Sequence, residues 1–365
     1  MTVVDDILHG RASVLPVPAG DADQTSLLTT ALRAGEEIDD DVAVVLSTSG
    51  TTGAPKGALL TARALMASVE ATHQRLGGDG RWLLALPAHH VAGFQVLVRS
   101  VVAGTMPVAV PAGVDAAGLV GAIAQLGSGR RYASLVAAQL DKALRDPRAT
   151  GALAELDAVL IGGGPMPGAV ADRASAANIS VIRTYGMSET AGGCVYDGRP
   201  LRGVGIQADS EGRVSLGGPM LASGYRNPVT PDPFAENGWF RTDDIGVIDD
   251  SGTLTVLGRV DDAISTGGLT VLPQLVEAAV ASHPAVAECA VFAVTDDRLG
   301  QRVVAAVVVK RGTTITLSEL RSHVGGSLPP SAAPRQLHIV DTLPRRGIGK
   351  LDRRELNRLF GSAEP

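Results

Sequence analysis

The sequence predicts an α/β protein with a large amino-terminal domain and a small α+β carboxyl-terminal domain. From residue 42 to residue 183 short apolar segments alternate with helical ones, which predicts a parallel sheet flanked by helices. Over residues 202–257 shorter strands are separated by Gly, Pro and Asp, which predicts a small β-rich subdomain. A different pattern of helices and strands begins after Gly258. We therefore expect domains at residues 1–260 and 261–365.

The composition is ordinary for a soluble protein and argues against several functional classes. Hydrophobic residues make up 45% of the 365 residues, charged residues 19%, and the formal net charge is -6. This charge favours neither nucleic acid nor an anionic membrane as a partner. The sequence has no signal segment and no apolar run long enough to span a bilayer, so we expect a cytoplasmic protein without membrane insertion. Cys194 and Cys289 are far apart, which predicts buried thiols and no disulfide framework.

The elements of the amino-terminal domain follow from apolar patterning. Residues 1–41 are acidic and weakly patterned, and they predict one or two helices packed on the first sheet. Thr61 is suited to cap the first long helix and Gly77 to end it. Ligands of such a parallel sheet bind beyond the carboxyl ends of its strands. We predict strands at 42–47, 82–86, 106–110, 132–136, 157–161 and 179–183, and helices at 61–75, 91–102, 115–126, 137–146 and 167–177.

The later elements are shorter. The β-rich subdomain and the carboxyl-terminal domain are each predicted from apolar runs between turn residues. We predict strands at 212–216, 254–257, 286–294, 303–309 and 336–340, and helices at 273–282 and 317–324.

A loop of small and hydroxylated residues follows the first predicted strand. Its glycines, hydroxyl groups and single cation, Lys56, suit one anion, and the ligand implied is a polyphosphate. The loop is not a Walker A motif, because Pro55 precedes Lys56 where that motif has glycine. A flexible linker is the alternative, but a linker needs neither the strand nor the lysine. The predicted phosphate-binding residues are Ser47, Thr48, Ser49, Gly50, Thr51, Thr52, Gly53 and Lys56.

The loop resembles the phosphate-binding loop of the acyl-adenylate-forming enzymes, which include acyl- and aryl-CoA ligases. The resemblance extends over residues 42–356 and implies the fold of acyl-CoA synthetases, with a mobile carboxyl-terminal domain. It also implies a small carboxylic acid substrate, ATP, Mg²⁺ and coenzyme A. The supporting segments are Ile161–Pro167, Thr184–Thr190, Gly238–Gly246, Gly258–Gly268 and Leu343–Leu356.

The resemblance implies a nucleotide site. Tyr185 offers a flat face to adenine, and Glu189 with Thr52 is suited to Mg²⁺ on the ATP phosphates. Asp244 would accept two hydrogen bonds from the ribose hydroxyls, and Arg259 would lie near the ribose and phosphate. Further predicted ATP contacts are Gly162, Gly163, Gly164, Thr184, Gly186 and Ser188. Asp243 stands where the family has glycine, and we assign it no role.

The resemblance also implies an acyl pocket. His90 matches a histidine that lines this pocket and moves between reaction states in relatives, although a helix-capping histidine is the alternative. Gly163, Gly186 and Met187 would line the same pocket.

The remaining matched residues lie in the carboxyl-terminal domain. Lys350 matches the family's catalytic lysine; taken alone it would be a solvated charge in a basic segment. Asp261 matches the hinge about which the domain swivels. Gly267 and Gly268 match the loop that approaches coenzyme A after that rotation.

Within the family the chain is most similar to the o-succinylbenzoate–CoA ligases of menaquinone synthesis. Alternatives are a ligase for another acid, a non-catalytic nucleotide-binding homologue and, disfavoured by the missing Walker pattern, a phosphotransferase. Most relatives carry an additional subdomain before the phosphate loop, and its absence predicts a homo-oligomer. The substrate's second carboxylate predicts a cationic or hydroxyl-rich patch. Candidates for it are Arg99, Arg130, Arg131, Arg183 and Arg202.

Overall fold

The computed structural model divides the chain into two compact units. It describes residues 1–48, 55–111, 113–346 and 350–361, with the backbone alone for Arg346 and Lys350. The first unit comprises Met1–Gln207, Val214–Thr242 and Ile248–Leu254, and the second comprises Ala208–Arg213, Asp243–Val247 and Thr255–Pro365. No helix in these ranges is long and apolar enough to cross a membrane.

Eight α-helices and fourteen strands are described over residues 1–259. The helices are α1 (Thr2–Leu8), α2 (Ala22–Ala31), α3 (Ala62–Leu76), α4 (Val91–Val102), α5 (Ala116–Gln125), α6 (Ala137–Ala143), α7 (Pro147–Ala154) and α8 (Gly168–Ala176). The strands are β1 (Val42–Leu46), β2 (Ala58–Thr61), β3 (Arg81–Leu84), β4 (Val108–Ala109), β5 (Arg131–Val136), β6 (Ala158–Gly162), β7 (Val181–Met187), β8 (Gly192–Tyr196), β9 (Arg199–Pro200), β10 (Gly205–Ala208), β11 (Arg213–Gly217), β12 (Gly224–Tyr225), β13 (Trp239–Ile248) and β14 (Leu254–Arg259).

A seven-stranded sheet forms the centre of the first unit. Its order is β4-β3-β5-β6-β7-β8-β9, and the pairs from β4 to β7 are parallel, as the alternating pattern predicts. Successive residues of a strand face opposite sides. Leu83 and Val159 therefore pack in one apolar cluster with α5 to α8, while Trp82 and Leu160 pack in another cluster on the opposite face.

The helix boundaries follow local signals. Thr61 accepts a hydrogen bond from the Ala64 amide and caps α3, and Gly77 ends that helix at a φ of 83°, so both predictions are confirmed. The helix predicted at 137–146 ends at Ala143, and a separate helix that was not predicted, α7, begins at Pro147. Asp146 caps α7 and Pro147 takes its first position, where proline is favoured.

The predicted place of β1 in the parallel sheet is wrong. β1 pairs antiparallel with β2, and the two form a three-stranded sheet with β12. All five β1 residues are buried: Val44 and Leu46 pack in one apolar cluster, and Val42 and Val45 in another with Leu28 from α2. Because both faces are covered, the strand is continuously apolar, a pattern more typical of parallel strands. The phosphate loop therefore connects two antiparallel strands.

A further sheet has the order β10-β11-β13-β14. Its strands β11 and β14 coincide closely with those predicted at 212–216 and 254–257. The long strand β13, which the sequence patterning did not predict, carries the segment around Asp244.

The second unit is an α+β structure, as predicted. Strands β17 and β18 form a long antiparallel hairpin, and β19 adds to β18 in parallel. One face of the hairpin packs on α9 and α10, and the other packs on α11, which was not predicted. The elements are β15 (Ile264–Thr266), β16 (Leu269–Val271), α9 (Pro273–Ala281), β17 (Val286–Asp296), β18 (Gly300–Val309), α10 (Leu317–Gly325), β19 (Gln336–Ile339), β20 (Arg345–Arg346), β21 (Lys350–Leu351) and α11 (Arg353–Phe360).

Both cysteines are free thiols. Cys194 is buried as predicted, whereas Cys289 is only half-buried. Burial raises the pKa of each thiol to about 12, so both are protonated at neutral pH.

Candidate active site

The carboxyl ends of β6 and β7 bring two predicted segments together. Gly162 ends β6, and the segment that follows leads into α8. Beside it, Thr184 of β7 donates a hydrogen bond from Oγ1 to the Ile161 carbonyl at 3.3 Å. Residues 162–164 and 184–189 therefore lie at one edge of the sheet, where ligands of α/β proteins bind.

Gly186 fixes the shape of this edge. Its φ is +157°, and a Cβ built there would lie 2.1 Å from the Gly192 carbonyl oxygen. The strand also has an irregular register between Tyr185 and Gly186, where β7 pairs with β8. Such an irregularity redirects the side chains on either side of it. A side chain at position 186 would therefore disrupt the segment that carries Tyr185 and Met187.

A single 3-10 turn, Ser188–Thr190, presents the predicted metal ligand. Thr190 Oγ1 accepts a hydrogen bond from the Met187 amide at 2.9 Å and donates one to the Gly192 carbonyl at 2.7 Å. These bonds hold the turn on both sides. The carboxylate of Glu189 is buried within it and accepts a hydrogen bond from the Tyr225 hydroxyl at 2.6 Å.

Both ends of the phosphate loop meet this turn region. Ser188 Oγ donates to the Ser47 carbonyl at 3.5 Å, at the end where the loop begins. At the other end Lys56 Nζ lies 5.3 Å from the centre of the Tyr225 ring, whose hydroxyl holds Glu189. The structure thus places Ser47 beside the turn that carries Glu189, and Lys56 beside the tyrosine that binds Glu189.

The described residues include only part of the predicted loop. Ser47 and Thr48 directly follow β1, and both are half-buried. The remaining predicted loop residues, Ser49, Gly50, Thr51, Thr52 and Gly53, lie outside the described residues.

His90 occupies the first, capping position of α4. Its φ and ψ are -100° and 147°, and in the described structure its side chain makes no capping bond to the helix. The helix-capping alternative would need such a bond, and a role of His90 in the acyl pocket stays a prediction. Further along α4, Gln95 Nε2 donates to the Ala191 carbonyl at 2.8 Å, so the helix is tied to the residue that follows the Ser188–Thr190 turn.

In the second unit, the guanidinium of Arg259 lies close to three carboxylates. Its guanidinium donates to both oxygens of Asp261, at 2.8 and 2.9 Å, and lies 3.5 Å from Asp243 and from the buried Asp244. Burial alone would lower the pKa of Arg259, but the hydrogen bonds to Asp261 and the three negative charges outweigh it, so the pKa lies above its ordinary value. Arg259 therefore stays charged at every accessible pH.

Asp243, to which the sequence assigned no role, has two cationic partners. Its carboxylate lies 2.5 Å from Arg213 and 3.5 Å from Arg259. The extra negative charge beside Asp244 is therefore balanced locally. Arg213 is thirty positions earlier in the chain, and no local sequence signal joins the two residues.

Gly267 and Gly268 form the turn between β15 and β16. Their φ angles are +59° and +79°, which suits a two-residue hairpin turn in which both central residues are left-handed. The left-handed backbone of the turn is by itself a sufficient reason for glycine at both positions. Contact with coenzyme A stays a prediction.

The backbone of Lys350 lies in the short strand β21. That strand pairs antiparallel with β20, with Arg346 opposite Lys350. The helix α11 begins three residues later, at Arg353.

The structure gives the location of four of the arginines proposed to bind the second carboxylate. Arg99 is buried in α4 with its guanidinium 4.8 Å from the centre of the Trp82 ring. Arg131 begins β5, and Arg130 directly precedes it, so both lie at the edge opposite to Gly162. Arg183 lies on β7 and pairs with Asp197 at 3.8 Å.

Two family models match the chain in succession. The AMP-binding enzyme model matches residues 7–225, and the model of the AMP-binding enzyme C-terminal domain matches residues 275–350. The chain therefore belongs to the AMP-binding enzyme family, the class of acyl-adenylate-forming enzymes, and the sequence resemblance is confirmed.

Among named relatives, the probable 2-succinylbenzoate–CoA ligase of Mycobacterium tuberculosis (strain H37Rv) is 65% identical over 342 residues. The match covers 92% of this chain and 89% of that protein. The 2-succinylbenzoate–CoA ligase of Geobacillus sp. (strain WCH70) is 34% identical, over 89% of this chain and 70% of that protein.

Solved structures show the same fold. The o-succinylbenzoate CoA synthetase (MenE) of Bacillus subtilis, in complex with the acyl-adenylate intermediate OSB-AMP, has a TM-score of 0.76 at 26% identity, covering 97% of this chain and 80% of that one. ATP-bound MatB of Rhodopseudomonas palustris has a TM-score of 0.78 at 26% identity, covering 89% of this chain and 69% of that one. The predicted acyl-CoA synthetase-like fold is confirmed.

Proposed function

We propose that the chain is an ATP-dependent o-succinylbenzoate–CoA ligase that works in two steps. A carboxylate oxygen of the acid attacks the α-phosphorus of ATP, the bond to pyrophosphate breaks, and acyl-AMP forms. The sulfur of coenzyme A then attacks the acyl carbon, AMP leaves, and the thiol proton passes to solvent. The observation that carries the substrate is the 65% identity, over 92% of the chain, to a relative named a probable 2-succinylbenzoate–CoA ligase.

The reaction needs two steps because the carboxylate must first be activated. A free carboxylate is a poor electrophile, because the leaving group in a direct attack would be oxide. Adenylation replaces that leaving group with AMP. Charge develops on the phosphate oxygens during this step, and fixed positive charges and hydrogen-bond donors stabilise it. In our proposal Lys350 supplies the main charge, together with Lys56 and the donors of the phosphate loop.

The Glu189 site suits a magnesium ion. Mg²⁺ usually takes one or two protein carboxylates and completes its shell with phosphate oxygens and water. Glu189 is a buried carboxylate at the turn that meets both ends of the phosphate loop. Glu189 and Thr52 would hold the ion, which when bound would neutralise phosphate charge.

The other matched residues would bind the rest of the substrates. Tyr185 would stack on adenine beside Gly162, Gly163 and Gly164. Asp244 would bind the ribose, held by Arg259 at 3.5 Å. His90 would face the acyl group.

We further propose that the second step follows a rotation about Asp261. Lys350 and the thiol of coenzyme A act at different times, and a hinge between residues 1–260 and 261–365 would exchange them. Gly267 and Gly268 would then approach coenzyme A. We expect the enzyme to act in the cytoplasm and to form a homo-oligomer.

Detection of the acyl-AMP intermediate and of the thioester product tests this function. With ATP, Mg²⁺ and o-succinylbenzoate alone, the protein should form acyl-AMP and pyrophosphate, and added coenzyme A should release AMP and the thioester. Lys350→Ala should abolish acyl-AMP formation and retain ATP binding. Lys310→Ala, which removes an exposed lysine of the second unit, is the matched control and should match the wild type.

Two results would contradict the proposal. Acyl-AMP formation at the wild-type rate in Lys350→Ala would remove that lysine from the mechanism. ATP binding without acyl-AMP from any acid would favour the non-catalytic alternative.

A further inference from the structure

A partly buried network of charges surrounds the first residue of α11. Arg353 Nη2 donates to Glu277 Oε1 at 2.7 Å, and Arg353 Nε donates to the Val291 carbonyl at 3.1 Å. Its Nη1 lies 3.4 Å from Asp262. Asp262 also accepts a hydrogen bond from Gln274 Nε2 at 2.9 Å. One guanidinium therefore joins α9, β17 and the segment after β14.

The network is far less exposed than an ordinary surface ion pair. The side chains of Glu277 and Arg353 are 12% and 21% exposed, whereas Glu355 and Arg358, a pair on the same helix, are 36% and 70% exposed. Burial of two charges carries a desolvation penalty that their attraction does not reliably exceed. Stability alone is therefore a weak reason for this arrangement, and fixing of geometry is a stronger one.

The network stands next to the strand of Lys350. Two residues separate Lys350 from Arg353, and the backbone between them is held at each end. On one side β21 pairs with β20. On the other, the Asp352 amide donates to the Pro344 carbonyl at 2.9 Å, and the Asp352 carboxylate caps α11. A short segment that is hydrogen-bonded at both ends therefore joins α11 to the Lys350 backbone.

We propose that Arg353 is a positioning residue for Lys350. Through Glu277 and the Val291 carbonyl it anchors the start of α11 on the body of the second unit. Through Asp262 it ties the same point to the residue next to the predicted hinge, Asp261. The inference rests on the proposed function, because it acts through the role given there to Lys350.

The test separates the two half-reactions. Arg353→Met should lower the rate of acyl-AMP formation from o-succinylbenzoate and ATP by roughly 10- to 100-fold, the range expected when a catalytic group is misplaced by about 1 Å. Thioester formation from supplied acyl-AMP and coenzyme A should be unchanged, because Lys350 acts in the first step only. A general structural defect would slow both. Arg353→Lys, which keeps the charge but cannot reach all three partners, should recover part of the loss.

A double variant tests whether Arg353 acts through Lys350. In a Lys350→Ala background, which forms no acyl-AMP of its own, Arg353→Met should leave the rate of thioester formation from supplied acyl-AMP and coenzyme A unchanged. A slower second step in the double variant than in Lys350→Ala would show an effect independent of Lys350 and overturn the proposal.

Two more variants control for folding and for charge. Arg353→Met with Glu277→Met removes both members of the most buried pair and leaves Asp262, which is 27% exposed and keeps its bond from Gln274; it should fold while keeping the defect in adenylation. Arg358→Met removes an exposed arginine of α11 and should behave as the wild type. Adenylation at the wild-type rate in Arg353→Met would overturn the inference. A wild-type protein that adenylates no acid would instead overturn the proposed function.

Discussion

The hydroxyl of Tyr225 offers a sharp test of the Glu189 site. Tyr225→Phe removes the hydroxyl that donates the 2.6 Å hydrogen bond to Glu189 Oε1 and leaves the ring. Glu189 is 7% exposed, and water replaces the lost donor poorly there. A hydrogen bond to a charged group contributes about 1.5–3 kcal/mol, which sets the expected loss in the free energy of unfolding of the first unit.

The same substitution should weaken Mg²⁺ binding. Residues that orient a metal ligand typically change metal affinity about 10- to 100-fold when removed. A magnesium titration of acyl-AMP formation at saturating acid should therefore move to higher Mg²⁺ by a factor in that range. Urea denaturation followed by Trp fluorescence measures the loss in the free energy of unfolding.

Tyr132→Phe is the matched control. Its hydroxyl donates to the Leu76 and Gly78 carbonyls, near the amino end of β5 and therefore at the edge opposite to Glu189. It should lower stability and leave the magnesium dependence as in the wild type. The same magnesium midpoint for Tyr225→Phe and wild type would refute the assignment of Glu189 to the metal.

Three further predictions follow from local geometry. Gly186→Ala should destabilise the first unit by at least about 1–3 kcal/mol, the range for a strained backbone, because its Cβ would also lie 2.1 Å from the Gly192 oxygen; thermal denaturation measures this, and an unchanged melting temperature contradicts it. Asp243→Asn should change stability by less than about 1 kcal/mol in urea denaturation, because the side chain is 44% exposed and Arg259 keeps Asp261; a larger loss would mean that the Arg213 pair is structural. Cys194, with a pKa of about 12, should not react with a thiol reagent at neutral pH until the protein is denatured, and rapid labelling of the native protein would contradict its burial.

Local signals predicted much of the fold. The α3 cap at Thr61 and its end at Gly77 depend on residues close in sequence, and both were correct. The parallel strands β5 and β6 were found from apolar runs between helical segments. The hairpin of β1 and β2 was missed because coverage of both strand faces removes the alternation that marks an antiparallel strand.

The site contacts that sequence did not predict are long-range pairs. Tyr225 meets Glu189 across 36 positions, and Arg353 meets Glu277 across 76. No regular sequence spacing predicts either pair, because only tertiary packing brings the two residues of each pair together. The motif residues could be predicted because each motif is short, whereas the residues that contact them are scattered along the chain.

The acid specificity of the wild-type protein tests the central claim most directly. We would measure AMP release with ATP, Mg²⁺ and coenzyme A for o-succinylbenzoate, benzoate, salicylate and a medium-chain fatty acid. The account predicts turnover with o-succinylbenzoate and little with the others. Turnover with another acid of this panel and none with o-succinylbenzoate would contradict the proposed substrate.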